Sequence, residues 1–279
     1  MMDISTDTRR PSTGQGMAGV TALLSRPRWI ALACIVVLTA SGWTYLLLVA
    51  LWQAPSGAAG FLEAICRAVP IGGAGGLAGV AAIAGMWIAM TLAMMLPTAG
   101  PMILTYSEIA ETASRKGDRL VSPYVLIAGY LAIWFGFAGS ATLAQLGVMW
   151  FAAWPGAARL AAPASALLFL IAGLYQFSAL KQACLTACQR PFSFFFLNWT
   201  DRPTGVFRLG VWQGLYCLGC CWAMMLLMFA AGAMNPVWMV LLGLVMLIEK
   251  MTVSPVVGRA VGVAFIAAGV TILAWSGFN

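Results

Sequence analysis

Five of the seven cysteines in this 279-residue chain fall between positions 184 and 221. The densest stretch is Cys217-Leu218-Gly219-Cys220-Cys221-Trp222-Ala223-Met224-Met225-Leu226-Leu227-Met228. On a helix turning about 100° per residue, Cys217, Cys220, Cys221, Met224, Met225 and Met228 share an arc of roughly 140°. Gly219, Trp222 and Ala223 fall outside that arc. A second stripe is formed by Met86, Met90 and Met94 at i+4 spacing, with Met95 turned away. Pro97 and Pro101 follow and are expected to end or kink that helix. Cys184 and Cys188 would share a face if the helix before them continued past Lys181. Thiolate and thioether are soft ligands that favour Cu(I), and thiolates also take zinc or iron–sulfur clusters. Both residue types also pack as ordinary apolar side chains. The cysteine triple beside Met224 therefore carries most of the functional weight, and the isolated Cys34 and Cys66 read as structural.

The chain has no histidine. Bis-histidine haem, copper–haem oxidase centres and His-based zinc hydrolysis are thereby excluded, as is a histidine general base. Carboxylates are scarce within the apolar runs. Glu249 stands beside Lys250 at the end of one run, where it could support proton exchange or a basic partner, while Glu63, Glu108 and Glu111 read as loop residues. A relay through buried acids is poorly supported. No lysine is expected in mid-span, which argues against a retinal Schiff base. Sulfur is what remains for buried chemistry.

The elements that must position this sulfur are membrane helices. Hydrophobic residues make up 62% of the chain and charged residues 8%, against about a quarter charged in soluble domains. A soluble enzyme, a disordered tail and a nucleic-acid module are excluded by that composition. Residues 1–28 read as a cytoplasmic N-terminal tail and residues 29–279 as a single transmembrane helical domain. Seven apolar runs are expected to cross the bilayer, at 29–52, 79–96, 123–151, 163–180, 209–232, 236–249 and 257–275. The fold class is thus all-α, a polytopic bundle of about seven spans. The first run is too long for a signal-peptide core and lacks a cleavage box.

With the N-terminus inside and the C-terminus outside, Arg9, Arg10, Arg26, Arg28, Arg115, Lys116, Arg119, Lys181, Arg190, Arg202, Arg208, Lys250 and Arg259 all face inward. Only Arg67 and Arg159 face outward, as the positive-inside bias requires. The net charge of +7 is therefore read as topology rather than as a sign of acidic partners. Cys217 lies nine residues beyond Arg208, about 13 Å into a core about 30 Å thick. Met90 and Met86 lie about 10 and 16 Å from the same boundary, so the two stripes match in height if their helices are neighbours.

The connecting segments are plain. Gly72-Gly73-Ala74-Gly75-Gly76 has no Lys-Ser/Thr after it, so it is a flexible loop rather than a phosphate cradle. Residues 103–116 are expected to form a short cytoplasmic helix stopped by Gly117. Phe192, Phe194, Phe195, Phe196 and Trp199 read as interfacial anchors. No repeat links the two halves, and no nucleotide motif is present.

Three blocks together resemble the family of predicted metal-binding integral membrane proteins. They are Met86-Trp87-Ile88-Ala89-Met90-Thr91-Leu92-Ala93-Met94-Met95-Leu96-Pro97, then Tyr175-Gln176-Phe177-Ser178-Ala179-Leu180-Lys181 with Cys184, Cys188, Arg190 and Pro191, and Gly214-Leu215-Tyr216-Cys217-Leu218-Gly219-Cys220-Cys221-Trp222. The last continues through Gly232, Met234, Trp238 and Met239 to Glu249-Lys250. Gln189 interrupts the usual Cys-Arg-Pro turn, and Ala179 stands where a proline is common. The resemblance implies a bacterial inner-membrane protein with a metal-related role.

The leading expectation is a carrier, delivery site or permease for Cu(I), with zinc as the alternative metal. Cys217, Cys220 and Cys221 would be central ligands with Met224 and Met228, facing Met86, Met90 and Met94, and Cys184 with Cys188 would form an inner handover site. The partners would be the lipid bilayer and a metal chaperone or metalloenzyme, with neither nucleic acid nor nucleotide. Two other readings compete. Cys217-x-x-Cys220 has the spacing of a quinone-linked thiol–disulfide oxidoreductase. Gly258-x-x-x-Gly262 has the spacing of a packing motif in a non-catalytic subunit.

Overall fold

A computed structural model describes residues 27–52, 76–115, 121–231, 236–252 and 254–278. Residues 1–26 of the expected tail, Cys66, Arg67, most of the glycine-rich run, Lys116, Gly117, Gly232 and Met234 lie outside the described residues, and residues 27–28 already belong to the first helix. Among those described, every regular element is a helix: α1 Pro27–Trp52, α2 Leu77–Arg115, α3 Pro123–Ala152, α4 Ala157–Tyr175, α5 Ala179–Gln189, α6 Pro191–Leu197, α7 Pro203–Ala231, α8 Pro236–Met251 and α9 Pro255–Phe278. Six of them begin on proline, whose missing N–H costs nothing in the first turn and whose fixed φ suits the helix. Among the described residues six of the seven apolar runs lie on one helix each, and the run at 163–180 is divided between α4 and α5. By length and composition four are sufficient to cross a bilayer, within α2, α3, α7 and α9. The α4–α5 pair, bent by 64°, would be a fifth, while the apolar part of α1 and the whole of α8 are shorter.

Two expectations about helix ends need correction. Leu77–Arg115 is a single helix that runs through both Pro97 and Pro101, so no separate helix starts at 103, and Glu108 and Glu111 lie on α2. Pro97 has no N–H to offer the carbonyl of Ala93, and the Trp43 indole of α1 donates to that carbonyl instead, at 3.2 Å. The second correction concerns α4. It stops at Tyr175, and Ser178 caps a new helix by accepting from the Lys181 amide at 3.1 Å. Ala179 occupies the first position of that helix, where a proline would also fit.

The helices pack through small residues. A Cβ on Gly129 of α3 would lie 2.2 Å from the Phe207 carbonyl oxygen of α7, and one on Gly210 of α7 would lie 2.1 Å from that of Leu126. Gly173 of α4 and Gly262 of α9 meet in the same way, since a Cβ on Gly173 would lie 2.9 Å from the Gly262 carbonyl oxygen. The Gly258-x-x-x-Gly262 face is thus used within the chain, which removes its value as a signal for an external subunit. The aromatic run divides. Phe192 and Phe196 stack on one another in the open, whereas Phe195 is fully buried with its ring 5.6 Å from Tyr106. Phe195 therefore packs the core instead of anchoring.

Candidate metal centre

Helix α7 turns its sulfur stripe inward. Cys217, Cys220, Cys221, Met224, Met225 and Met228 are all buried, while Trp212 and Leu215 on other faces are exposed. Helix α2 lies opposite. Trp87 of α2 and Phe229 of α7 have ring centroids 5.2 Å apart, and Met95 Sδ lies 4.0 Å from Cys221 Sγ. Each pair of positions is separated by eight residues along its own helix, about 12 Å. Two antiparallel helices in register give that match, so the sulfur-bearing helices are neighbours at equal heights.

The contact also corrects the methionine stripe. Met95, which ideal spacing turns away from Met86 and Met90, is the methionine that reaches the cysteines. Met94 lies against Gly243 of α8 and lines a cavity of about 140 Å³ with Trp43, Pro97 and Thr98. Met86, Met90 and Met228 are buried higher in the bundle, more than a helical turn from the cysteines of their own interface.

The bend before α5 brings in the remaining thiols. Cys184 Sγ sits over Gly219, where an added Cβ would be 2.6 Å away. The Cys188 thiol lies near that of Cys220, which neighbours those of Cys217 and Cys221. Cys184 and Cys188 thus lie beside α7, because the expected straight helix is broken and turned. All six described cysteines are free thiols. Cys220 and Cys221 also donate to the Cys217 carbonyl, at 3.1 and 2.9 Å. Tyr175 donates to the Gly219 carbonyl, and Gln176 directs its amide N–H at Met224 Sδ over 3.6 Å.

Three charged groups line this end of the bundle, and two were not expected there. Lys181 forms an ion pair with Glu249 at 2.7 Å, with the two side chains 1% and 3% exposed. Lys250 donates to Cys217 Sγ at 2.9 Å and to Thr98 Oγ1 at 2.8 Å. Tyr130 completes the set, its hydroxyl 3.1 Å from both Cys217 Sγ and the Met95 carbonyl. Gln189, which interrupts the Cys-Arg-Pro turn, ties α5 to α8 by donating to the carbonyls of Glu249 and Thr252 at 2.8 and 2.9 Å. The signal for Lys250 was its place beside Glu249. Nothing in the spacing singled out Tyr130, which stands among apolar neighbours on α3.

Among the described residues no three cysteine or carboxylate side chains converge as a ready metal-ligand group. The thiols instead form a connected cluster with Met95 at its edge. The copper chaperone family model (PpoB2) matches residues 84–272, from within α2 to within α9. The chain belongs to that family. No curated protein and no solved structure matches the chain. Every cysteine of the thiol cluster of this copper chaperone family member, and Met95 at its edge, falls within the matched residues.

Proposed function

We propose that the chain accepts Cu(I) into the cluster of Cys188, Cys217, Cys220 and Cys221 and passes it to a metalloprotein partner. The observation that carries this reading is the clustering of free thiols from two helices around Cys220, with Met95 of a third at the edge of the cluster. Cu(I) is content with two soft ligands, whereas structural zinc asks for four. A cluster in which no three thiols converge suits the former. Cu(I) can then shift from one thiol pair to the next, exchanging one sulfur at a time and displacing a thiol proton at each new ligand. Met95, and Met224 held by Gln176, extend the route as neutral thioethers. Met86, Met90 and Met228 continue it upward, while Cys184 adjoins the lower end.

The setting we infer is the bacterial inner membrane. Val36, Leu48, Leu143, Leu167 and Val263 are each more than half exposed on the outer surface, far more apolar area than water tolerates. Seven spans, N-terminus inside and C-terminus outside, follow from the positive-inside count. Cys184, Cys188, Lys181 and Lys250 then lie toward the cytoplasm, so the cluster is loaded from or emptied to that side.

The test is metal analysis of reduced protein. Wild type exposed to Cu(I) under anaerobic conditions should retain copper that a Cys217→Ser/Cys220→Ser/Cys221→Ser variant loses. Equal copper in the two would overturn the assignment, and a preference for zinc would overturn the choice of metal.

A further inference from the structure

A second cavity lies on a different face of α7 from the sulfur stripe, at that helix's N-terminal end. It encloses about 750 Å³, within the range of small-molecule sites. Arg202 and Arg208 line it, and its walls include Trp199, Trp212 and Tyr216. Trp212 and Tyr216 form one wall with ring centroids 6.2 Å apart, and Phe194 meets Tyr216 at 6.0 Å. No carboxylate lines the space. The nearby Asp201 accepts from the Trp199 indole at 3.1 Å. Among the described residues neither Arg202 nor Arg208 has a side-chain hydrogen bond or an ion pair.

Two guanidinium groups without acidic partners, facing one cavity, are the arrangement that takes a phosphate by paired N–H donation. Thr204 and Gly205, in the first turn of α7, also line the space. The aromatic walls suit the apolar part of an amphiphile rather than a bare ion. The helix is one of the four long enough to span a bilayer, and this is its polar end, at headgroup depth. We propose that this cavity binds the phosphate headgroup of an anionic phospholipid, with the glycerol and upper acyl region against Trp212 and Tyr216. The inference rests on the membrane setting given above but not on the copper ligands. Tyr216 links the two sites, since it walls the lipid cavity and precedes Cys217 in the chain.

The experiment uses full-length protein in an uncharged detergent, as wild type, Arg202→Gln/Arg208→Gln and Arg259→Gln. Each is titrated with phosphatidylglycerol, phosphatidylcholine and glycerol 3-phosphate, with bound molecules read by native mass spectrometry and Cu(I) loading measured on the same samples. Wild type should retain phosphatidylglycerol in preference to phosphatidylcholine. Binding should fall by about tenfold or more in Arg202→Gln/Arg208→Gln, as for the loss of charge-assisted hydrogen bonds. Arg259→Gln, altered at an exposed arginine of α9, should bind as wild type does. Unchanged lipid binding in the double variant overturns the proposal, and so does an equal loss in Arg259→Gln, which would mark general charge attraction. Glycerol 3-phosphate binding as tightly as the lipid would assign the cavity to a soluble phosphate ester and overturn the lipid. Normal Cu(I) loading in the double variant shows an intact fold. Failed Cu(I) loading by wild type that still binds lipid would sink the copper site alone.

Discussion

The buried pair of Lys181 and Glu249 offers a sharp test of how the centre is held. Lys181 lies in the first turn of α5 and Glu249 in the last turn of α8, with Nζ and Oε2 2.7 Å apart. Neither side chain exceeds 3% exposure, and Glu249 Oε1 has no hydrogen-bond partner. Replacing Lys181 by Met leaves a carboxylate in an apolar interior, and replacing Glu249 by Gln leaves an ammonium there. Breaking a buried pair from one side typically costs about 3–5 kcal/mol, most of it the burden of the remaining charge. Removing both charges avoids that burden. Lys181→Met/Glu249→Gln should therefore be more stable than either single variant.

Denaturation in detergent followed by tryptophan fluorescence would rank the four proteins. The pair also tethers α5, which holds Cys188 against Cys220. Both single variants should thus show faster labelling of Cys188 by a thiol reagent, and the double variant slower labelling than either. Single variants within about 1 kcal/mol of wild type, or a double variant whose cost equals the sum of the singles, would refute the reasoning.

Other outcomes follow from contacts already described. Gly129→Ala and Gly210→Ala each drive a Cβ into a backbone carbonyl and should cost about 1–3 kcal/mol or more, whereas Gly100→Ala, with nothing within 4 Å, should be neutral or mildly stabilising on the same denaturation assay. Trp43→Phe removes the donor to the carbonyl that Pro97 leaves free, for a loss of about 1 kcal/mol. Lys250→Met should weaken Cu(I) binding by about tenfold to a hundredfold in competition with a Cu(I) chelator, the worth of one hydrogen bond to a charged group. Unchanged affinity would remove Lys250 from the site.

Composition and periodicity made much of this legible. All but one of the apolar runs coincide with single helices as far as the described residues go, because they hold few charges or turn residues. The 1.5 Å rise placed the two sulfur stripes at matching heights before any contact was known. Facing direction was harder. In a water-exposed helix the polar side identifies the core side, but the sulfur-bearing part of α2 is apolar on nearly every side and carries no such label. It packs against α1, α3, α6 and α8, meets α7 through Trp87 and Met95, and buries Met86, Met90, Met94 and Met95 alike, so arc arithmetic does not single out Met95 as the one beside the cysteines. The break at Gln176–Ser178 was hidden for another reason. It contains neither proline nor glycine, and its one signal is Ser178 acting as a cap three residues before Lys181.

Charge balance connects these details to the choice of metal. Lys181 and Glu249 neutralise one another, which leaves Lys250 as an ammonium with Cys217, Thr98 and Tyr130 around it. A cation in such surroundings needs an anion beside it. Cys217 sulfur, at 2.9 Å, is the group that accepts from that ammonium. In the proposed site two thiolates with Cu(I) carry one net negative charge, which Lys250 matches. Two thiolates with Zn²⁺ carry none, and the ammonium would stand alone. A third thiolate would restore balance for zinc, but no three converge among the described residues. In the proposed site, the lysine that apolar spacing failed to single out would therefore be the residue that separates the two metals. A Lys250→Met protein should lose its preference for Cu(I) over Zn²⁺ as well as affinity.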